Sequence, residues 1–229
     1  MAIAPPLSLP RSQFRPSYTR QEEWRWLITA AFFFGSVGAG LFLFSFALDF
    51  PEGALAGLLT VAVLKSAAHL RFLGKPLRFW RALARWRSSW ISRGLIAMSA
   101  FSIFAFVYLV PFIFSTDESP VTNAFGYAAA VCAFVVMVYD GFVMKTSAGI
   151  PFWQTWLAPL LVLCYGALGG ATLVLVLRAA TGRDFSRLAV DGAELGLVVV
   201  NLALVGVYLF TAQVRAAAAA FAARMLTRG

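Results

Sequence analysis

The sequence predicts an all-α integral membrane protein, a bundle of about six transmembrane helices with both termini in the cytoplasm. Three observations predict it. Hydrophobic residues make up 61% and charged residues 13% of the 229 positions, with a mean hydropathy of +0.80, outside the composition of soluble domains. Apolar runs of roughly 20 residues, enough to cross about 30 Å of hydrocarbon as a helix, recur along the chain. These runs are continuously apolar and lack the alternation of a transmembrane β-strand.

Residues 1–25 contain Pro5, Pro6, Pro10 and Pro16 among polar patches. They lack the short apolar core of a cleavable secretory signal and read as a cytoplasmic segment. The apolar runs then place helices over Trp26–Leu48, Ala54–Phe72, Gly94–Ser115, Val121–Met144, Thr155–Arg178 and Leu188–Gln213, within a bundle covering 26–213. Turn-forming residues punctuate them: Asp49-Phe50-Pro51-Glu52-Gly53, Thr116 to Pro120, Ser147-Ala148-Gly149-Ile150-Pro151 and Thr181-Gly182-Arg183-Asp184. Residues 71–93 form a basic loop between the second and third spans, and 214–229 a tail.

Charge sets the orientation. Arg11, Arg15, Arg20 and Arg25 precede the first span; Arg71, Lys75, Arg78, Arg81, Arg85, Arg87 and Arg93 lie between the second and third. Lys145 follows the fourth, and Arg215, Arg224 and Arg228 follow the sixth. Six spans put these fifteen residues on one side, against Arg178, Arg183 and Arg187 on the other. The positive-inside rule turns the larger set towards the cytoplasm. The opposite side carries Asp49, Glu52, Asp117, Glu118, Asp184, Asp191 and Glu194.

Several chemistries are excluded. His69 is the one histidine, whereas a bis-histidine haem needs two, so no haem is expected in this chain. If this chain handles electrons in the membrane, a diffusible carrier such as a quinone is the expected route. Cys132 and Cys164 lie apart inside apolar runs, without zinc or iron–sulfur spacing, and read as small core residues. Gly35-Ser36-Val37-Gly38-Ala39-Gly40 lies inside a span with no preceding strand, so it reads as helix packing rather than a dinucleotide loop. Gly166, Gly169 and Gly170 repeat the theme. No nucleophile–base constellation and no metal set is present.

The candidate chemistry gathers at the cytoplasmic end. Lys65 and His69 are spaced i, i+4 and share one helix face. A charge inside a span faces the bundle or a wet cavity, although a lysine near a helix end also snorkels to the interface. Asp140 closes the fourth span on the same side and by depth can approach His69 or a basic residue of the loop. A histidine paired with a carboxylate is suited to taking quinol protons; the structural alternative is an ion pair between Asp140 and an arginine. The basic loop, with Trp80, Trp86 and Trp90, reads either as an interfacial amphipathic helix on anionic lipid or as a docking surface for an acidic subunit. Topology accounts for its charge, so nucleic acid is not an expected partner.

The stretch Ala67-Ala68-His69-Leu70 through Leu73-Gly74-Lys75-Pro76-Leu77-Arg78, followed by Arg85 and Ser89-Trp90-Ile91-Ser92-Arg93, resembles the membrane-anchor subunits of molybdenum or tungsten oxidoreductases. It is similar to the His-Leu-Gly-x-Pro-x-Arg element of the dimethyl sulfoxide reductase anchor family, and more distantly to the polysulfide reductase membrane subunit. Val138-Tyr139-Asp140 through Pro151-Phe152-Trp153-Gln154-Thr155-Trp156-Leu157-Ala158-Pro159 is the second stretch, and together the likeness covers about two thirds of the chain.

The resemblance implies an anchor in the cytoplasmic membrane of a bacterium or archaeon. It would exchange electrons between menaquinone or ubiquinone and an iron–sulfur subunit, itself bound to a molybdopterin catalytic subunit. The family's quinol-site histidine maps onto His69, with Lys65, Asp140, Tyr139, Trp90 and Arg93 as further candidate quinone contacts. Arg71, Lys75, Arg78, Arg81, Arg85 and Arg87 are the candidate docking residues. The chain departs from the family in three extra residues between His69-Leu70 and Gly74, in fewer spans than that branch typically has, and in a charge bias that turns the histidine side inward. An inward face implies cytoplasmic partners and a cytoplasmic substrate, for which a CoA ester of the phenylacetyl-CoA type is an analogy. Two rival functions remain open: a small transporter or channel, which the lack of an inverted repeat disfavours, and a purely structural anchor. A helical bundle supports all three.

Overall fold

The sequence places prolines at Pro51 and Pro120, and both begin helices. The first helical position has no intrahelical partner for its N–H, so proline is tolerated there. In the computed structural model, which describes residues 26–73, 75–147, 150–182 and 190–214, six helices result: α1 Trp26–Ala47, α2 Pro51–Phe72, α3 Trp90–Phe114, α4 Pro120–Thr146, α5 Leu157–Thr181 and α6 Val190–Val214. All six are long and apolar enough to cross a membrane, and no strand forms among the described residues. The protein is a multi-pass helical membrane protein.

The ends are capped where polar residues allow it. Ser89 Oγ accepts from Ser92 N at 3.4 Å and starts α3 four residues before the expected Gly94. At α4, Ser119 Oγ accepts from Thr122 N at 3.1 Å while Ser119 N donates to Thr122 Oγ1 at 3.0 Å, a capping box that satisfies two orphan donors. Gly182, at φ +70°, ends α5 in the left-handed region, where glycine carries no Cβ penalty.

α1 is the centre of the bundle. It packs against α2, α4 and α5, while α3 pairs extensively with α4 and α6 lies against α5. The small residues of α1 explain its place. A Cβ on Gly40 would strike the Gly166 carbonyl, and one on Gly170 would strike the Gly40 backbone, so α1 and α5 meet backbone to backbone. Such close approach supplies the van der Waals attraction that holds helices together in lipid. On the other flank Phe42, fully buried, meets Phe101 edge-on at 5.0 Å.

α2 is not uniform. Its central turn, Thr60–Lys65, is a π-helix, and Ser66–Phe72 returns to α geometry. A π turn inserts one residue and rotates the succeeding residues by about 100° relative to an α-helix. Beyond α2, Pro76–Arg85 forms a 3₁₀ helix, long for that type. It lies beside the start of α3, where Ser92 Oγ donates to the Ala82 carbonyl. The expected basic loop is therefore a helix, with Leu77, Trp80 and Trp86 outward.

Candidate functional site

The end of α2, the starts of α3 and α5 and the end of α4 lie at one end of the bundle: Trp90 stacks on Phe142 at 4.3 Å, and the Lys145 ammonium sits 3.1 Å from the Trp156 ring centroid. Lys65 lies inside this end with no solvent exposure. It does not snorkel. Its Nζ donates to Asp140 Oδ2 at 2.9 Å and to the Ala31 carbonyl at 3.1 Å, and it lies 4.8 Å from the Tyr139 ring centroid and 5.8 Å from that of Phe32. Asp140, equally buried, thus pairs with Lys65 rather than with His69 or an arginine of the loop. The reason is register: the π turn ends at Lys65 and directs it across α1 into the bundle.

Space for the ammonium comes from Gly35, where a Cβ would overlap Lys65 Nζ. The glycine read as helix packing instead admits a cation. Asp140 Oδ1, by contrast, has no partner at hydrogen-bond geometry among the described residues; the Tyr139 hydroxyl is its neighbour. A carboxylate oxygen left so in a low-dielectric interior is costly.

His69, one turn beyond Lys65, is half-buried with its ring 6.4 Å from that of Phe32. Its Nδ1 likewise lacks a partner at bonding geometry among the described residues. The histidine borders a cleft of about 270 Å³ whose other walls include Ser66, Phe79, Ala82, Met98, Ser99 and Tyr139. The walls are mainly apolar, with His69, Ser66, Ser99 and Tyr139 as the polar groups. An apolar cavity of about 150 Å³ accommodates benzene, so this cleft takes a substituted ring and the first part of a tail.

The structure brings His69 and Tyr139 to the cleft and sets Lys65 and Asp140 directly behind it. Trp90 and Arg93 are elsewhere: Arg93 lies over the Trp90 ring at 4.7 Å and donates to the Trp86 and Arg87 carbonyls at 3.1 and 2.7 Å, tying the 3₁₀ segment to α3. Arg71, Lys75, Arg78, Arg81, Arg85 and Arg87 are all exposed along the rim beyond the cleft. Phe79, Ala82, Met98 and Ser99 are not legible as site residues, because neither the basic segment nor the apolar span marks which of its residues border a cleft.

A family model described as DMSO reductase anchor subunit (DmsC) matches residues 54–220, most of the chain. This protein belongs to that family. The family is one of oxidoreductase membrane-anchor subunits, and the match to this anchor takes in all of α3 to α6. The anchor is also similar to a subunit of the sulfite dehydrogenase of Allochromatium vinosum, 30% identical over 138 residues. That alignment covers 54% of the anchor and 40% of the relative. No solved structure matches the anchor.

Proposed function

We propose that the anchor exchanges electrons between a membrane quinone or quinol and an iron–sulfur subunit of a molybdenum or tungsten oxidoreductase. The observation that carries this reading is the cleft beside His69. It has the size for a quinone ring, its wall is mainly apolar, and the imidazole of His69 borders it. Quinol oxidation releases protons together with electrons, so the ring oxygens need hydrogen-bond partners and a titratable group. His69 supplies both, and Tyr139 lines the same cleft.

The cations Arg71 to Arg87 on the rim suit an acidic partner, and electrostatic complementarity sets register and association rate. Docking there brings an iron–sulfur cluster close to the cleft. By the positive-inside rule this face is cytoplasmic in a bacterial or archaeal inner membrane, which makes the soluble subunits and their substrate cytoplasmic. The reaction catalysed by the soluble subunits is set by those subunits, not by this bundle.

The deciding experiment is His69→Ala in the complex purified from membranes. Assembly and turnover with soluble artificial dyes are expected to persist while quinone-coupled turnover is lost. Normal quinone turnover in the assembled variant overturns the site, and loss of assembly gives His69 a structural role instead.

A further inference from the structure

The Lys65–Asp140 pair is sealed from solvent, yet one side chain separates it from the cleft. Tyr139 lines the cleft and also carries the Lys65 ammonium against its ring. Asp140 follows it in the chain and spends a single oxygen on Lys65. A carboxylate has acceptor sites on both oxygens, and an ion pair that serves only to clamp helices is best when the second oxygen is satisfied as well. Among the described residues Oδ1 has no partner at hydrogen-bond geometry, and its neighbour Tyr139 is a wall of the cleft.

We propose that Asp140 is the proton acceptor behind the cleft, and that Lys65 supplies the charge that makes the transfer possible. This rests on the quinone reading of the cleft. A quinol donates a proton to the Tyr139 hydroxyl, which passes its own proton to Asp140 Oδ1, leaving the quinol as its monoanion. Before the step the buried charges are Lys65 and the Asp140 carboxylate; after it they are Lys65 and the quinol anion. A positive and a negative charge remain in the low-dielectric interior throughout, so no uncompensated ion is created. The anion then loses two electrons, one at a time, through the iron–sulfur subunit of the partner and its remaining proton to His69, giving the quinone. Deprotonation of Asp140 restores the pair, and the same steps reversed deliver protons for quinone reduction.

The test uses the complex purified through this chain, with menadiol as the quinol. The variant Lys65→Met/Asp140→Leu removes both charges and leaves neither orphaned. A lost proton acceptor is expected to lower kcat for menadiol about 100-fold, with KM and dye turnover unchanged. Wild-type kcat in the assembled double variant overturns the proposal. Should the variant fail to assemble, infrared difference spectra of the wild-type complex decide. Menadiol is expected to raise a carboxylic-acid carbonyl band that shifts with ¹³C-aspartate and is absent in Asp140→Glu; no such band overturns the proposal. Full quinol turnover in His69→Ala defeats the cleft reading itself, whereas an inactive His69→Ala beside an active double variant defeats only the relay.

Discussion

The Lys65 ammonium occupies the space that a side chain at Gly35 would fill. A glycine in the middle of the central helix is thus part of a charged site on another helix, although it bears no functional group. Because Nζ is held by Asp140 and the Ala31 carbonyl, it has no free direction in which to retreat.

Gly35→Ala is therefore expected to displace Lys65 and destabilise the protein by about 1–3 kcal/mol, the usual cost of overpacking. Gly206 provides the control. A Cβ there meets nothing within 4 Å, so Gly206→Ala is expected to be neutral or stabilising by about 0.5–1 kcal/mol through helix propensity. Thermal unfolding of the two variants in one detergent compares them directly.

Single substitutions in the ion pair should cost more than the double one. Lys65→Met strands the Asp140 carboxylate and Asp140→Leu strands the ammonium, each at about 3–5 kcal/mol. Removing both at once should recover most of that loss. A thermal-stability cycle over the four proteins measures the coupling, and additive losses would mean that the two groups do not interact.

The spans are legible in the sequence because bilayer thickness dictates their length, and every expected helix has its counterpart. Their starts are less legible. Pro51 and Pro120 look like breaks to an apolar pattern, yet they open α2 and α4. Ser89 caps α3 behind the charge of Arg93, which an apolar window excludes. The π turn is invisible, since Thr60–Lys65 reads as an ordinary apolar run ending in lysine. Without that turn the direction of Lys65 is undetermined, and so is the partner of Asp140: the sequence sets both at one depth, but depth does not select between neighbours. The expected cytoplasmic segment 1–25 and, of the tail 214–229, all but Val214 lie outside the described residues.

Orientation can be tested without the partners. Cysteines introduced at Arg78 or Ser88 are expected to resist membrane-impermeant thiol reagents in intact cells and to react after lysis. Both positions are exposed, so burial does not explain protection. Labelling from outside would place the docking face on the opposite side.

Charge on the 3₁₀ segment should govern docking. Reversing Arg81 and Arg85 together is expected to release the soluble subunits while the anchor remains inserted. Because both side chains are exposed, the wild-type contact should also weaken with salt. Retention of the subunits by the doubly reversed anchor in high salt would assign docking to other surfaces.

The Lys65–Asp140 bond also orders events at the translocon. Its partners are 75 residues apart, so α2 leaves the ribosome with its lysine well before α4 exists. A lone lysine costs at most about 2.5–3.5 kcal/mol to insert, the value at a helix centre, and the arrival of α4 supplies the carboxylate that offsets its charge. α2 is thus a conditional span, which settles fully once the fourth helix enters. A chain truncated before Asp140 would hold this helix least firmly, and membrane quality control would meet it first.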